Sequence, residues 1–201
     1  NMPSDWTDLT KDEYKGLYQL HNLGGGTAKT VFASIISRYQ DPDGDLGISD
    51  EGWESAAKFL GNAHNIADGE DAVGSVIDGT YPMDEHWASG VLTEQKDRDY
   101  KFQIMTPDVG EPYVVESLAI SAGTKKYDTC VAFLNWLGSS DVQLDWSNNY
   151  GTIPCQKEAL AQVSDDIKEL METLKPQDLD WSFIAENVDA WVEKAELEYV
   201  Q

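Results

Sequence analysis

The sequence predicts an α/β fold, and three observations carry that expectation. Short apolar segments with strand-like alternation are followed by longer segments with helical spacing. Glycine- and aspartate-rich punctuation separates them. No internal repeat or low-complexity tract disturbs the order, which is the pattern a sheet flanked by helices requires.

The first strand is read over 16–22, through Leu17, Tyr18, Gln19, Leu20 and His21. The Gly24-Gly25-Gly26-Thr27 turn follows, and then Val31, Phe32, Ile35, Ile36 and Tyr39 recur along one helical stripe. An acidic loop over 41–47 leads to Ser49 and Asp50. Either is a good N-cap for a helix carrying Trp53, Ala57, Phe59 and Leu60. The short apolar run 72–77, bounded by Gly69-Glu70 and Asp78-Gly79, reads as a strand, as do 100–105 and the longer 113–121. A helix is expected over about 126–137 with Val131, Phe133, Leu134 and Leu137 apolar. Ser140-Asp141 is expected to cap a short helix holding Val142 and Trp146. Gly151-Thr152-Ile153-Pro154 breaks the chain, and the remainder reads as helices. In the last of these, Ile184, Val188, Trp191, Val192, Ala195 and Tyr199 line one face.

Composition narrows the function classes. With 41% hydrophobic residues in 201, the chain has enough apolar surface for a real core. Acidic side chains outnumber basic ones by 37 to 14. That excess argues against nucleic acid, whose phosphates need Lys and Arg, and against anionic membranes. It reads first as solubility and second as attraction for a cation. No apolar run is long enough to span a membrane.

Chemistry-bearing patterns are sparse. His21, His64 and His86 show no metal-ligand spacing, and Cys130 and Cys155 form no C-x-x-C pair, so no metal site is expected. The two cysteines read equally as a disulfide in a secreted protein or as two buried thiols. No nucleophile elbow, Walker loop or dinucleotide fingerprint is present, no cofactor is implied, and an enzyme is the weaker class. The segment Asp41-Pro42-Asp43-Gly44-Asp45 resembles the start of an EF-hand loop. Its sixth position is Leu46 rather than Gly, however, and its twelfth is Gly52 rather than Glu. An acidic connector is the favoured reading, with a calcium-binding structural or adhesion module as the alternative. The glycine turn at 24–27 lets backbone approach a ligand and offers free N–H groups to an anion; it also reads as a plain tight turn with Thr27 as N-cap.

Several segments, in order, resemble the type 2 periplasmic solute-binding proteins of ABC importers, the group that includes iron, polyamine and phosphonate receptors. They are Trp6-Thr7-Asp8-Leu9 with Tyr14-Lys15-Gly16, Glu51-Gly52-Trp53, Gly69-Glu70-Asp71-Ala72-Val73-Gly74 and Pro107-Asp108-Val109-Gly110. Ala132-Phe133-Leu134 with Leu137, Ser140 and Gln143, and then Gly151-Thr152-Ile153-Pro154, complete the series. The resemblance begins in the middle of the family pattern, as if the chain were N-terminally truncated. It implies a type 2 lobe, a mixed sheet flanked by helices, over 1–108 and 156–201, with 109–155 as part of the other lobe. It implies a non-enzymatic receptor that captures a polyamine, metal-chelate, phosphonate or sugar and delivers it to ABC permease subunits. It also implies a periplasmic or extracellular location, with a signal or a lipid anchor on the leading segment of the full-length protein.

On the same footing, Gly25, Gly26 and Thr27 form a ligand-contacting loop. Tyr81 follows a strand and faces the cleft, or else packs against Trp87; Pro82 breaks the tyrosine pair of iron receptors. Glu116 lies on the strand 113–121 that crosses between lobes. It reads as a solvated hinge carboxylate, or as the partner of an ammonium. Glu116 and the overall charge tilt the expected solute toward a cation or amine. The apolar face around Phe133, Leu134 and Leu137 would lack its usual cover, which predicts a dimer or swapped contact.

Overall fold

The computed structural model describes residues 2–200. The described residues form two compact units, one from 2–86, 103–112 and 175–200 and the other from 87–102 and 113–174. In chain order the first holds β1 (Tyr18–Leu20), α1 (Gly26–Ile36), β2 (Gln40–Asp45), α2 (Asp50–Asn62), β3 (His64–Asn65), α3 (Ala72–Asp78) and β4 (Met83–Asp84). The second holds α4 (Ala88–Arg98), α5 (Tyr127–Leu137), α6 (Ser140–Tyr150), α7 (Lys157–Leu160) and α8 (Asp165–Thr173). The chain then returns to the first unit for α9 (Trp181–Glu198). The α/β class holds. The three-stranded sheet runs β3-β1-β4 and is parallel throughout, so the mixed sheet expected is, among the described residues, a parallel one with isolated antiparallel bridges nearby.

The core of the first unit follows from the helical stripes. Val31, Phe32, Ile35 and Ile36 of α1 are buried with Ile48, Trp53, Phe59 and Leu60 around α2 and with Ile184, Trp191, Val192 and Ala195 of α9. Each such large side chain contributes roughly 1.5–3 kcal/mol by leaving water. Tyr18 of β1 is buried and its hydroxyl donates to the Phe59 carbonyl, so the strand is tied to α2 through a satisfied polar group. Helix α2 begins where Ser49 Oγ accepts from the Gly52 backbone N–H at 3.2 Å, with Asp50 and Glu51 favourably placed in its first turn.

The acidic segment forms a tight hairpin, not an EF-hand. Gln40 and Asp45 bridge antiparallel to Ile48, and Leu46 and Gly47 turn the chain with φ of 51° and 75°. Two of its carboxylates are engaged: Asp41 Oδ1 accepts from the Asp43 N–H at 3.0 Å, and Lys194 lies 3.3 Å from Asp45 Oδ2. Lys194 also sits 5.0 Å from the centre of the Trp53 ring, which pins the hairpin to α2 and α9.

Three expected strands are not strands. Residues 72–77 are the helix α3: Asp71 accepts from the Gly74 N–H at 3.0 Å, and Gly79 ends it with a φ of 80°. The flanking acid and glycine were cap signals, and a short apolar run does not by itself separate strand from helix. After α4 ends on Asp99 in the left-handed region, 100–105 carries no ladder, nor does 113–121. Val114, Val115 and Leu118 are exposed there, because no described strand lies alongside to pair with their backbone.

In the second unit, Ala159, Val163, Ile167 and Leu170 are buried, whereas α5 buries none of its residues. Phe133 is exposed, and Leu134 and Leu137 are half-buried. Helix α6 ends at Gly151, whose φ of 67° and closeness to the Ser89 carbonyl, 2.8 Å from where a Cβ would sit, exclude a side chain. Cys130 and Cys155 are free thiols, the first half-buried and the second exposed. No helix among the described residues is long and apolar enough to cross a membrane.

Candidate functional site

Topology selects the edge of the sheet to inspect. From central β1 the chain first reaches β3 on one side and then β4 on the other, so strand order reverses at β1. The crevice beyond the C-terminal ends of parallel strands at such a reversal is where open α/β folds bind ligands.

The loop leaving β1 is built by Asn22. Its Oδ1 accepts from the Gly24 N–H at 2.7 Å, and its carbonyl accepts from the Gly25 N–H at 2.8 Å. Gly25, in extended backbone, is the N-cap of α1, and its carbonyl takes the first helical bond from the Lys29 N–H at 3.0 Å. Thr27 is therefore inside the first turn, not the cap. The N–H groups of Gly26, Thr27 and Ala28 lie above that first bond, at the positive end of α1.

Strand register brings a second set of groups to the same edge. Tyr18 pairs with Met83 and Gln19 with Asp84; continuing that register sets His21 beside His86. Side chains alternate across a strand, so Asp84 and His86 share a face with Gln19 and His21, while Glu85 points to the other. The two imidazole rings are 6.3 Å apart at 48°, and His86 Nδ1 is 3.7 Å from Asp84 Oδ2. One ligand atom from each of His21, Asp84 and His86 lies within 4.8 Å of the other two. The side chains of His86 and Asp84 are only 14% and 7% exposed. His21 Nε2 and Asp84 Oδ1 are shut from solvent without a hydrogen-bond partner. On the opposite face Glu85 is fully buried. Burial pushes its carboxyl up to about 7, the backbone N–H of His21 pulls it back, and the Asp84 charge adds to the rise. Beside the cluster, His21, Asn22, Leu23, Asn65 and Ile66 line a cavity of about 320 Å³.

The residues expected from sequence are not brought together. Gly25, Gly26 and Thr27 stand at the C-terminal edge beside the His21 loop. Tyr81 precedes β4, on its N-terminal side, and stacks on His64 with ring centres 4.2 Å apart. His64 Nε2 is in turn 2.8 Å from Glu70 Oε2. Glu116 is exposed in the second unit, on a cavity of about 590 Å³ that it lines with Leu118, Leu134, Leu137, Gln143 and Cys155. Sequence reasoning missed Asn22 as the organiser of the glycine turn, and the His21–Asp84–His86 cluster. Asn22 two residues before Gly24 is a local turn signal; the cluster's one signal is parallel register across 60-odd residues, which no local spacing rule reports.

A profile of the bacterial extracellular solute-binding proteins matches residues 1–175. The chain belongs to that family. A relative from Sinorhizobium fredii, the probable ABC transporter periplasmic-binding protein y4fP, is 34% identical over 201 residues, which cover all of this chain and 56% of the relative. Among solved structures, the ferric binding protein from Campylobacter jejuni is similar with a TM-score of 0.73 and 21% identity, over 96% of this chain and 63% of that one. The open ferric iron-binding protein A of Mannheimia haemolytica is similar with a TM-score of 0.74 and 16% identity, over 98% and 62%. At these identities the two show the fold alone. This chain spans less than two thirds of the length of each of these relatives.

Proposed function

We propose that the chain is part of the solute-binding receptor of an ABC importer, a non-catalytic protein that captures a small solute and hands it to a membrane permease. The observation that carries this reading is the convergence, at one sheet edge of a chain of this family, of the α1 N-terminus and the His21–Asp84–His86 cluster. Gly25, Gly26 and Thr27 are the proposed contacts for anionic or hydroxyl groups of the solute, through backbone N–H groups. The carboxylate and imidazoles favour a cationic partner, in keeping with 37 acidic side chains against 14 basic. Tyr81 and Glu116 are proposed contacts at other surfaces of the receptor, Glu116 as the partner of an ammonium. The location that fits a family of this kind is periplasmic or extracellular.

A thermal-shift screen tests the reading. Polyamines, phosphonates, sugars, ferric chelates and divalent metals are compared. A ligand that binds only the native state at 100 times its Kd adds about 2.7 kcal/mol of stability. One solute class is expected to raise Tm, and Gly26→Asp, which places a negative charge at the α1 N-terminus, is expected to remove the shift if the solute is anionic. A full-length protein that shifts with no member of the panel, and does not associate with its permease, contradicts the receptor reading.

A further inference from the structure

We propose that His21, Asp84 and His86 form a binding site for one divalent transition-metal ion of the zinc class. The receptor reading supplies only the biological use, the ion as cargo or as part of it; the chemistry rests on the three side chains.

The donor set comes first. Two imidazole nitrogens and one carboxylate oxygen suit borderline ions such as zinc, cobalt and nickel, whereas hard ions such as calcium and magnesium prefer oxygen alone. The ferric ion in the names of the two similar structures is likewise hard, so the zinc-class assignment rests on this cluster's own donors. Parallel register, continued two residues past the Gln19–Asp84 pair, places the three donors on one face. Asp84 ends β4, and His21 and His86 follow directly on β1 and β4.

Burial comes second. The Asp84 side chain is 7% exposed and its Oδ1 has no hydrogen-bond partner. His21 Nε2 is equally enclosed and unpartnered. Leaving a buried carboxylate oxygen and a ring nitrogen unsatisfied is costly in a protein with no compensating contact. A cation between them satisfies both. Glu85, buried on the opposite face, leaves the coordinating face to the three donors.

Geometry comes third. Bonds of about 2.0–2.1 Å to a tetrahedral ion place ligand atoms about 3.3 Å apart. Here they lie within 4.8 Å, so the widest pair needs to close by about 1.5 Å, which side-chain torsions supply without moving the sheet. Three protein ligands leave a fourth position for water or for a group of the solute, the open arrangement of sites that exchange their ligand.

The chain contains three histidines, which makes the test direct. Tag-free, chelator-stripped protein is titrated with Zn²⁺ while the imidazole ¹⁵N resonances are followed by NMR, and the affinity is measured by calorimetry. The expected result is one equivalent of Zn²⁺, with His21 and His86 shifting to metal-bound values and His64 unmoved. His21→Gln, Asp84→Asn and His86→Gln should each weaken Zn²⁺ by at least about a hundredfold, since even outer-sphere partners are worth about 10–100-fold. His64→Gln should leave affinity unchanged. Because the NMR arm uses wild-type protein, a variant that fails to fold does not blunt the test. Saturating Zn²⁺ that shifts neither imidazole, or binding lost equally in His64→Gln, overturns the proposal. Zn²⁺ binding with no effect of any importer solute or permease would leave the metal site standing and bring down only the receptor reading. Solute binding without Zn²⁺ binding would do the reverse.

Discussion

Helices α1 and α5 make an instructive pair. Each has 11 residues and an apolar stripe of helical period, yet α1 buries seven residues and α5 none. The difference does not lie in local sequence. Phe32 is enclosed because α2 and α9 fold over it, whereas Phe133 and Trp136 pack mainly against each other, 5.6 Å apart and half exposed. Period determines that a helix forms and which face is apolar; only a partner element decides whether that face becomes core.

The sharpest way to break this comparison is a matched pair of truncations. Phe32→Ala should cost about 3–5 kcal/mol in chemical denaturation, the range for a large buried aromatic. Phe133→Ala should cost less than about 1 kcal/mol, as expected for a side chain already half in water. Equal losses would mean that α5 is covered in solution.

Gly110 tests the same contrast at the backbone. It ends the turn begun at Pro107, donating to that carbonyl at 2.9 Å, with a φ of 88°. A Cβ there would sit 2.7 Å from the Lys175 carbonyl oxygen and the Gln177 nitrogen, where two segments of the first unit bridge. Gly110→Ala should therefore cost about 1–3 kcal/mol through strain and overpacking, read as a lower Tm.

A pH series gives a smaller effect in the same unit. Burial raises the Glu111 carboxyl above its ordinary range, and the hydrogen bond from Trp6 Nε1, 2.8 Å long, offsets part of that. The folded state then keeps this proton at pH values where the unfolded chain has released it. Stability from this group is present below the unfolded value near 4.5 and is lost as pH rises through the folded value. Glu111→Gln, which still accepts from Trp6, should be more stable than the parent at neutral pH and equal to it in acid. A difference that grows in acid would reverse the sign.

The smallest effects concern the second unit's surface. The proposed dimer through α5 should dissociate in Phe133→Asp with little change in Tm, by light scattering; a parent chain that is monomeric at high concentration refutes it. A reducing agent should leave Tm unchanged, because Cys130 and Cys155 are unbonded.

The legibility of the sequence follows the same division. Ser49, the stripe of α1 and the face of α9 were readable because caps and periodic burial are local signals. Helix α3 was misread because its apolar run is short, and its two cap residues, Asp71 and Gly79, carried more information than the run did. The segment 113–121 has the composition of a strand, but pairing is a property of two segments, and none among the described residues pairs with it. Gly25, Gly26 and Thr27 could be singled out because a glycine turn before a helix is contiguous. His21, Asp84 and His86 could not, because they become neighbours only through a register between strands far apart in sequence.

The central claim is that solute is held at the C-terminal edge of the β3-β1-β4 sheet. Hydrogen exchange measured with and without the solute or ion of largest thermal shift tests this most directly. New protection is expected in peptides covering 21–28 and 84–86, with 72–78 and 114–118 unchanged. Protection confined to 114–118 and 155–158, around the Glu116 cavity, would contradict it and move the site to the second unit.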